Sequence, residues 1–332
     1  MSRRDAGFSL IELMVAMAIM LLISGAAVTA LLRMTSAQAT IWNRTQMHSG
    51  IRGATEVLQQ EVGQAGRISL PVVVTLTSPS AACATANCTT TLAVSSTTGM
   101  FVDEKIVIDI GATQETVIIT AINSSTSVTV KSPNAGGTVA AHNTAGVPVQ
   151  ALGSFSAGII PPLQSPSAYA PGGPTMAYAS GSTGSVLKLF GDINADGNMV
   201  YVEYKCDAPT TGSGNLYRNV MAWNATPPSA EPAASQILLS NITANPDGSP
   251  CFTYQVQGIN INGTMTYFVT DVAITLTVQT QIIDPVTKQF QKQTKALLNV
   301  SPRNTFNAWQ MASLGISKRI QPMPPSITAL LP

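Results

Sequence analysis

The stretch GFSLIELMVAMAIMLLISGAAVTALLR, Gly7–Arg33, decides how the rest of the chain is read. From Phe8 to Leu32 it is apolar or small throughout, with one charge, Glu12. About 20 apolar residues suffice to cross a bilayer as a helix. A carboxylate inside such a run costs roughly 2.5–3.5 kcal/mol at the membrane centre, less near its edge, and marks a functional position by default. Arg3 and Arg4 precede the run. Basic residues ahead of a first span hold that end in the cytoplasm, so the bulk of the chain is expected to be exported. A secretory signal would place its small residue after the apolar core; here Gly7 comes before it. A plain signal anchor fits the hydropathy and leaves Glu12 without a purpose.

The residues G-F-S-L-I-E-L-M-V-A at Gly7–Ala16 resemble the type III signal of type IV prepilins and type II secretion pseudopilins. The resemblance implies cleavage between Gly7 and Phe8 by a prepilin peptidase, then N-methylation of Phe8. It also implies that Glu12 pairs with the terminal amine of a neighbouring subunit during assembly. The physics agrees, since in a low-dielectric bundle an amine and a carboxylate each need the other.

Composition suits an exported β-rich protein. The chain has 332 residues, 10% charged, with a formal net charge of +1. No global field points to nucleic acid, and none is expected as a partner. Lys288, Lys292 and Lys295 read as a solvated strand face. Cys83, Cys88, Cys206 and Cys251 all follow the apolar helix, and an oxidising compartment favours disulfides over metal thiolates. Four cysteines allow three connectivities. The reading adopted is Cys83–Cys88, closing a small loop, and Cys206–Cys251 across the main domain; one pair left reduced stays open as the alternative.

The helix is expected to run beyond the membrane. No proline occurs from Arg33 to Arg67, and Met47, Ile51, Ala54, Leu58, Val62 and Ala65 recur at steps of three or four. Gly66 and then Pro71 end it. Local melting of the helix, a feature of many pilins, would centre on Gly25. LQQEVGQAGRI at Leu58–Ile68 and V-S-P-R-N at Val300–Asn304 resemble PilW-like minor pilins, the latter also pseudopilin J.

Downstream the chain reads as β structure. The runs Leu92–Val94, Lys105–Ile110, Glu115–Ile122, Ser127–Lys131 and Val147–Leu152 suggest a small barrel or roll inserted into the head. Their pattern resembles β modules of surface and phage structural proteins. Residues 153–185, rich in Gly, Pro, Ser and Ala, read as a long surface connection, and 225–235 as a second loop. The clearest β signal is the last hairpin: Thr270–Ile282 alternates cleanly, Asp284–Lys288 turns, and the chain returns to Asn304. The tail from Thr305 reads as extended or mobile. The expected division is a leader at 1–7, a membrane half-helix at 8–32, an amphipathic half at 33–67, a disulfide loop at 68–91, an inserted β module at 92–152, a pilin-like head at 153–304 and a tail at 305–332. The fold class is α+β: a long N-terminal helix packed on an antiparallel sheet.

GDINADGNMVYVE contains D-x-N-x-D-G-x5-E, with Asp192, Asn194, Asp196, Gly197 and Glu203. This matches a calcium loop in which Asn198 lends its backbone carbonyl and Glu203 closes the site. The flanks read as strands, so a hairpin turn in which Asp and Asn bond their own backbone fits the same residues. Ca2+ is the one cofactor the sequence suggests.

Catalytic signatures are missing. Two histidines, His48 and His142, offer no metal cluster, and His142 reads as a capping or water-facing turn residue. There is no G-x-S-x-G, P-loop or G-x-G-x-x-G. The reading is therefore a non-enzymatic, PilW-like minor pilin that primes assembly or sits at a pilus tip, with other pilins, the peptidase and the inner membrane as partners. It would be a single-pass protein with a cytoplasmic N-terminus, later extracellular in the pilus. Two alternatives stay open: a J-like type II secretion pseudopilin, and a pilin-anchored adhesin.

Overall fold

A computed structural model describes residues 9–162, 181–224, 236–261, 263–325 and 327. Gly7 and Phe8, and the loop expected at 225–235, lie outside them. The fold is α+β. It opens with one 55-residue helix, α1 (Leu10–Gln64). Gly25 interrupts nothing: the helix is continuous through it, and the Thr29 hydroxyl donates to the Gly25 carbonyl at 2.7 Å. The helix stops where expected. Gly66 takes φ +83°, and its N–H donates to Phe190 O at 2.9 Å. A Cβ there would lie 2.7 Å from Thr305 Oγ1, so only glycine suits both the backbone and the space.

The chain next builds a six-stranded antiparallel sheet from β1 (Val74–Thr75), β2 (Thr89–Ala93), β3 (Lys105–Ile108), β4 (Glu115–Ser124), β5 (Ser127–Lys131) and β6 (Pro148–Ala151). Its order is β1-β6-β3-β4-β5-β2. The first and last strands also meet, because Thr77 N–H donates to Ala93 O and Ser95 N–H to Thr75 O. The sheet is thus a closed barrel with no free edge. It begins earlier than the run at Leu92 suggested. Alternation fills its interior: Val117 and Ile119 of β4, Val128 and Val130 of β5, and Ile106 and Ile108 of β3 are all fully buried.

After β7 (Ser154–Phe155) a second sheet forms. Its strands are β8 (Val186–Gly191), β9 (Val200–Cys206), β10 (Gly214–Ala222), β11 (Ile237–Thr243), β12 (Phe252–Ile261), β13 (Thr264–Gln279) and β14 (Lys292–Val300). The order is β12-β13-β11-β10-β9-β8, with β14 on the other side of β13. The helix stripe read from sequence packs on this sheet: Ile51, Ala54, Leu58, Val62 and Ala65 share one core with Leu187, Val202, Tyr204, Val272, Ile274 and Leu276.

Three expectations are corrected. Residues 153–162 are no surface connection. Phe155, Ala157, Ile159 and Ile160 are buried, and the Phe155 ring meets Phe190 at a tilt, centroids 4.7 Å apart, in the core between barrel and sheet. Within the rest of that stretch, 163–180 lies outside the described residues. The tail is not extended: α2 (Arg303–Ser313) buries Thr305, Ala308 and Ala312, and β15 (Ile320–Gln321) pairs in parallel with β7. Gln321 Nε2 donates to the carbonyls of Lys105 and Leu152, tying this end to the barrel. His142 does not face water. It is 3% exposed, with Nδ1 3.5 Å from Asp109 Oδ2 and Nε2 3.6 Å from Glu115 Oε2.

Candidate functional site

The helix itself is the candidate site. Asn43 is its first buried residue. The helix before it projects from the head apart from Thr40, which lies near Asp284, with Leu10 78% and Trp42 73% exposed. At 1.5 Å per residue this arm is roughly 50 Å long. Folded proteins rarely leave that much apolar surface to water, which fits a helix covered by a bilayer or by other helices. By length and composition it can cross a membrane.

Glu12 sits on the first turn. Its Oε2 accepts the Ser9 N–H at 3.4 Å, and Leu13 N–H donates to Ser9 O at 3.1 Å. A carboxylate near a helix start is favoured by the helix dipole and by the spare N–H groups there. Among the described residues its one side-chain bond is this long one to Ser9, which leaves acceptor capacity for a cation.

At the other end the helix is bolted to the sheet by polar groups. Glu61, 8% exposed, receives Arg218 Nε at 2.9 Å and a second bond from Arg218 Nη2. The Tyr204 hydroxyl donates to Glu61 Oε2. Burial, and next the Glu61 charge, push the Tyr204 phenol up, so it stays a donor. Asn304 Nδ2 donates to Gln64 O at 3.1 Å, satisfying a carbonyl at the helix end. Sequence reading missed Glu61 and Arg218; a lone Glu on the apolar stripe side was the available signal.

Residues 2–28 match the family model of the prokaryotic N-terminal methylation motif. The matched span holds Gly7, Phe8 and Glu12 and supports a type IV pilin or pseudopilin, a structural rather than catalytic class, processed by a prepilin peptidase. Comparisons with curated proteins and with solved structures gave no match.

The other sites read from sequence fare differently. The disulfides present are Cys83–Cys88 and Cys206–Cys251. The D-x-N-x-D-G segment forms the β8–β9 turn. Asp192 is fully buried; its Oδ1 accepts the Asp196 and Gly197 N–H groups at 3.0 and 3.3 Å. Its Oδ2 accepts the Ser69 hydroxyl at 2.6 Å and faces Arg67 Nε at 3.4 Å. Asp196 Oδ1 caps the Asn198 N–H, and Asn194 is exposed. Glu203 lies up the strand, where its Oε2 accepts the Tyr201 hydroxyl at 3.0 Å. Among the described residues no three acidic, His or Cys side chains gather where a metal could sit. With the Asp192 oxygens already taken and a guanidinium beside them, this arrangement does not fit a calcium loop; it fits the hairpin turn.

Proposed function

We propose that this chain is a PilW-like minor pilin, cut between Gly7 and Phe8, N-methylated at Phe8, and assembled through its N-terminal helix into a type IV pilus. The observation that carries this reading is the methylation-motif match at residues 2–28 on a helix whose first half projects bare from the head. In the proposed filament, Glu12 receives the Phe8 ammonium of a neighbour. Within the apolar bundle that pair is strong because each charge is costly alone. It also sets the axial register of the subunits. The segments Ala65–Gly66 and Val300–Asn304 and the length of the chain favour the minor-pilin assignment over a major one. A J-like pseudopilin of type II secretion uses the same helix and remains the nearest alternative.

The closed barrel favours a second reading, in which the helix serves as export and anchoring device for a surface-binding protein. The barrel has its own core, built from Val74, Leu92, Ile106, Val117 and Val149 among others, separate from the core that packs on the helix. Removal of 72–151 would abolish surface binding and leave piliation intact on that reading.

Mass spectrometry of the N-terminus from membranes and from sheared filaments, in wild type and Glu12→Ala, tests the proposal. Methylated Phe8 in the sheared fraction, lost from that fraction in the variant, supports it. An intact Met1 or Ser2 terminus confined to membranes removes it.

A further inference from the structure

The β13–β14 hairpin runs beside α1 and descends toward the helix's apolar arm. Arg303 lines one groove with Gln64. Lys295 acts on the Glu56 carboxylate one step lower. Lower again, Arg44 Nη2 donates to Gln291 Oε1 at 3.1 Å, and the Thr40 hydroxyl acts on the Asp284 carboxylate. The hairpin turn, residues 280–291, is therefore the part of the sheet nearest the membrane end of the helix.

That turn has an unusual surface for its position. Ile282, Ile283, Val286 and Phe290 are 54, 51, 64 and 42% exposed. The one acidic group in the turn, Asp284, is folded inward at 1% exposure, with Oδ1 accepting the Val286 and Thr287 N–H groups at 2.8 Å. Those backbone N–H groups, Thr287 foremost, hold its carboxyl below the usual range. Lys288 at φ +59° and Lys292 stay exposed. The outer face of the turn is thus apolar with cations and no outward carboxylate. Ile41 and Trp42 on the adjoining helix are 65 and 73% exposed.

We propose that this turn is a foot that rests in the headgroup layer of the bilayer holding the helix. The proposal rests on the membrane-anchor reading of α1. Thr40 lies eight residues past Leu32, about 12 Å along the axis, and a span as long as Phe8–Leu32 exceeds the roughly 30 Å hydrocarbon core, so its upper end already enters the headgroups. Tilt of the helix lowers the turn further. Tryptophan and snorkelling lysine beside branched aliphatic groups are the side chains an interface selects, and lysines add attraction to anionic lipid. The foot would hold the head at a fixed tilt until the subunit leaves the bilayer.

The test uses the full chain in vesicles of phosphatidylcholine and phosphatidylglycerol. An environment-sensitive fluorophore is placed on Val286→Cys, with separate controls on Thr29→Cys in the apolar arm and Ile122→Cys on the barrel. All three positions are solvent-exposed in the protein, so the labels displace no core side chain. Lipids carrying a shallow quencher are expected to cut the Val286 and Thr29 emission at least twofold and to leave Ile122 unchanged. Quenching at Thr29 without quenching at Val286 overturns the foot and leaves the anchor reading intact. Loss of quenching at both sites removes the anchor reading itself. A blue-shifted Val286 signal that lipid quenchers do not reach means that protein covers the turn, and overturns the proposal in favour of a neighbouring subunit.

Discussion

Glu61 of α1 and Arg218 of β10 form a two-armed ion pair across the seam between helix and sheet, with the Tyr204 hydroxyl on the same carboxylate. The pair is mostly buried, and removal of one member of a buried pair leaves the other charged and unsatisfied. Glu61→Ala is expected to cost about 3 kcal/mol of stability. Urea unfolding in detergent measures it. A loss under 1 kcal/mol would mean that water already reaches the pair.

Glu104 gives the barrel a pH signature. The side chain is fully buried; Oε2 accepts the Phe101 N–H at 3.1 Å, and Oε1 has no partner. Burial raises its pKa to about 8, against which the Phe101 bond works. The folded state therefore keeps a proton that the unfolded chain loses above about 4.5. Its contribution is full below pH 4.5 and is lost as pH rises toward 8. Glu104→Gln cannot ionise. The variant should match wild type in melting temperature near pH 4.5 and exceed it increasingly up to pH 8. An offset that does not vary with pH would refute the assignment.

The two disulfides should differ in weight. Cys206–Cys251 spans 45 residues, and its removal by paired serine substitution is expected to cost about 4 kcal/mol from chain entropy. Cys83–Cys88 spans 5, for which the same relation gives about 2 kcal/mol. Denaturant midpoints of the two double variants would order them. The reverse order would show that the short bridge organises more of the barrel than its loop.

Asp192 organises the β8–β9 turn through its own oxygens. Asp192→Ala strands the Asp196 and Gly197 N–H groups, the Ser69 hydroxyl and the Arg67 charge, and should cost about 2–3 kcal/mol. Chelation with EDTA should leave the wild-type melting temperature unchanged. A fall of several degrees on chelation, reversed by calcium, would restore the metal reading.

Much of this architecture is legible in sequence wherever one period dominates. The stripe from Met47 to Ala65 and the alternation of Val272, Ile274, Leu276 and Val278 each have one face to bury, and both meet in the same core. Misreadings fall where small residues do the packing. α2 buries Thr305, Ala308 and Ala312, correctly spaced for a helix but too slight to register as apolar. Residues 153–160 alternate Phe155, Ala157 and Ile159 inside a Gly/Ser-rich composition that reads as loop. The pattern at Asp192 left two readings open for a different reason. Alternate Asp and Asn serve a cation or their own backbone equally well, and only the position of Arg67, distant in sequence, decides between them. Likewise no local signal links Glu61 to Arg218, because the pairing depends on which strand faces the helix.

The barrel's two ends meet at a single seam. Phe155 N–H donates to Gly66 O, Arg67 bridges to Ser154, and Gly66 N–H reaches Phe190 in the large sheet. A pull on the long helix is therefore handed at Gly66 directly to the sheet. The barrel hangs beside that load path rather than in series with it. Traction on the anchor would strain the helix–sheet seam at Glu61 and Arg218 first, and the barrel would travel as undeformed cargo.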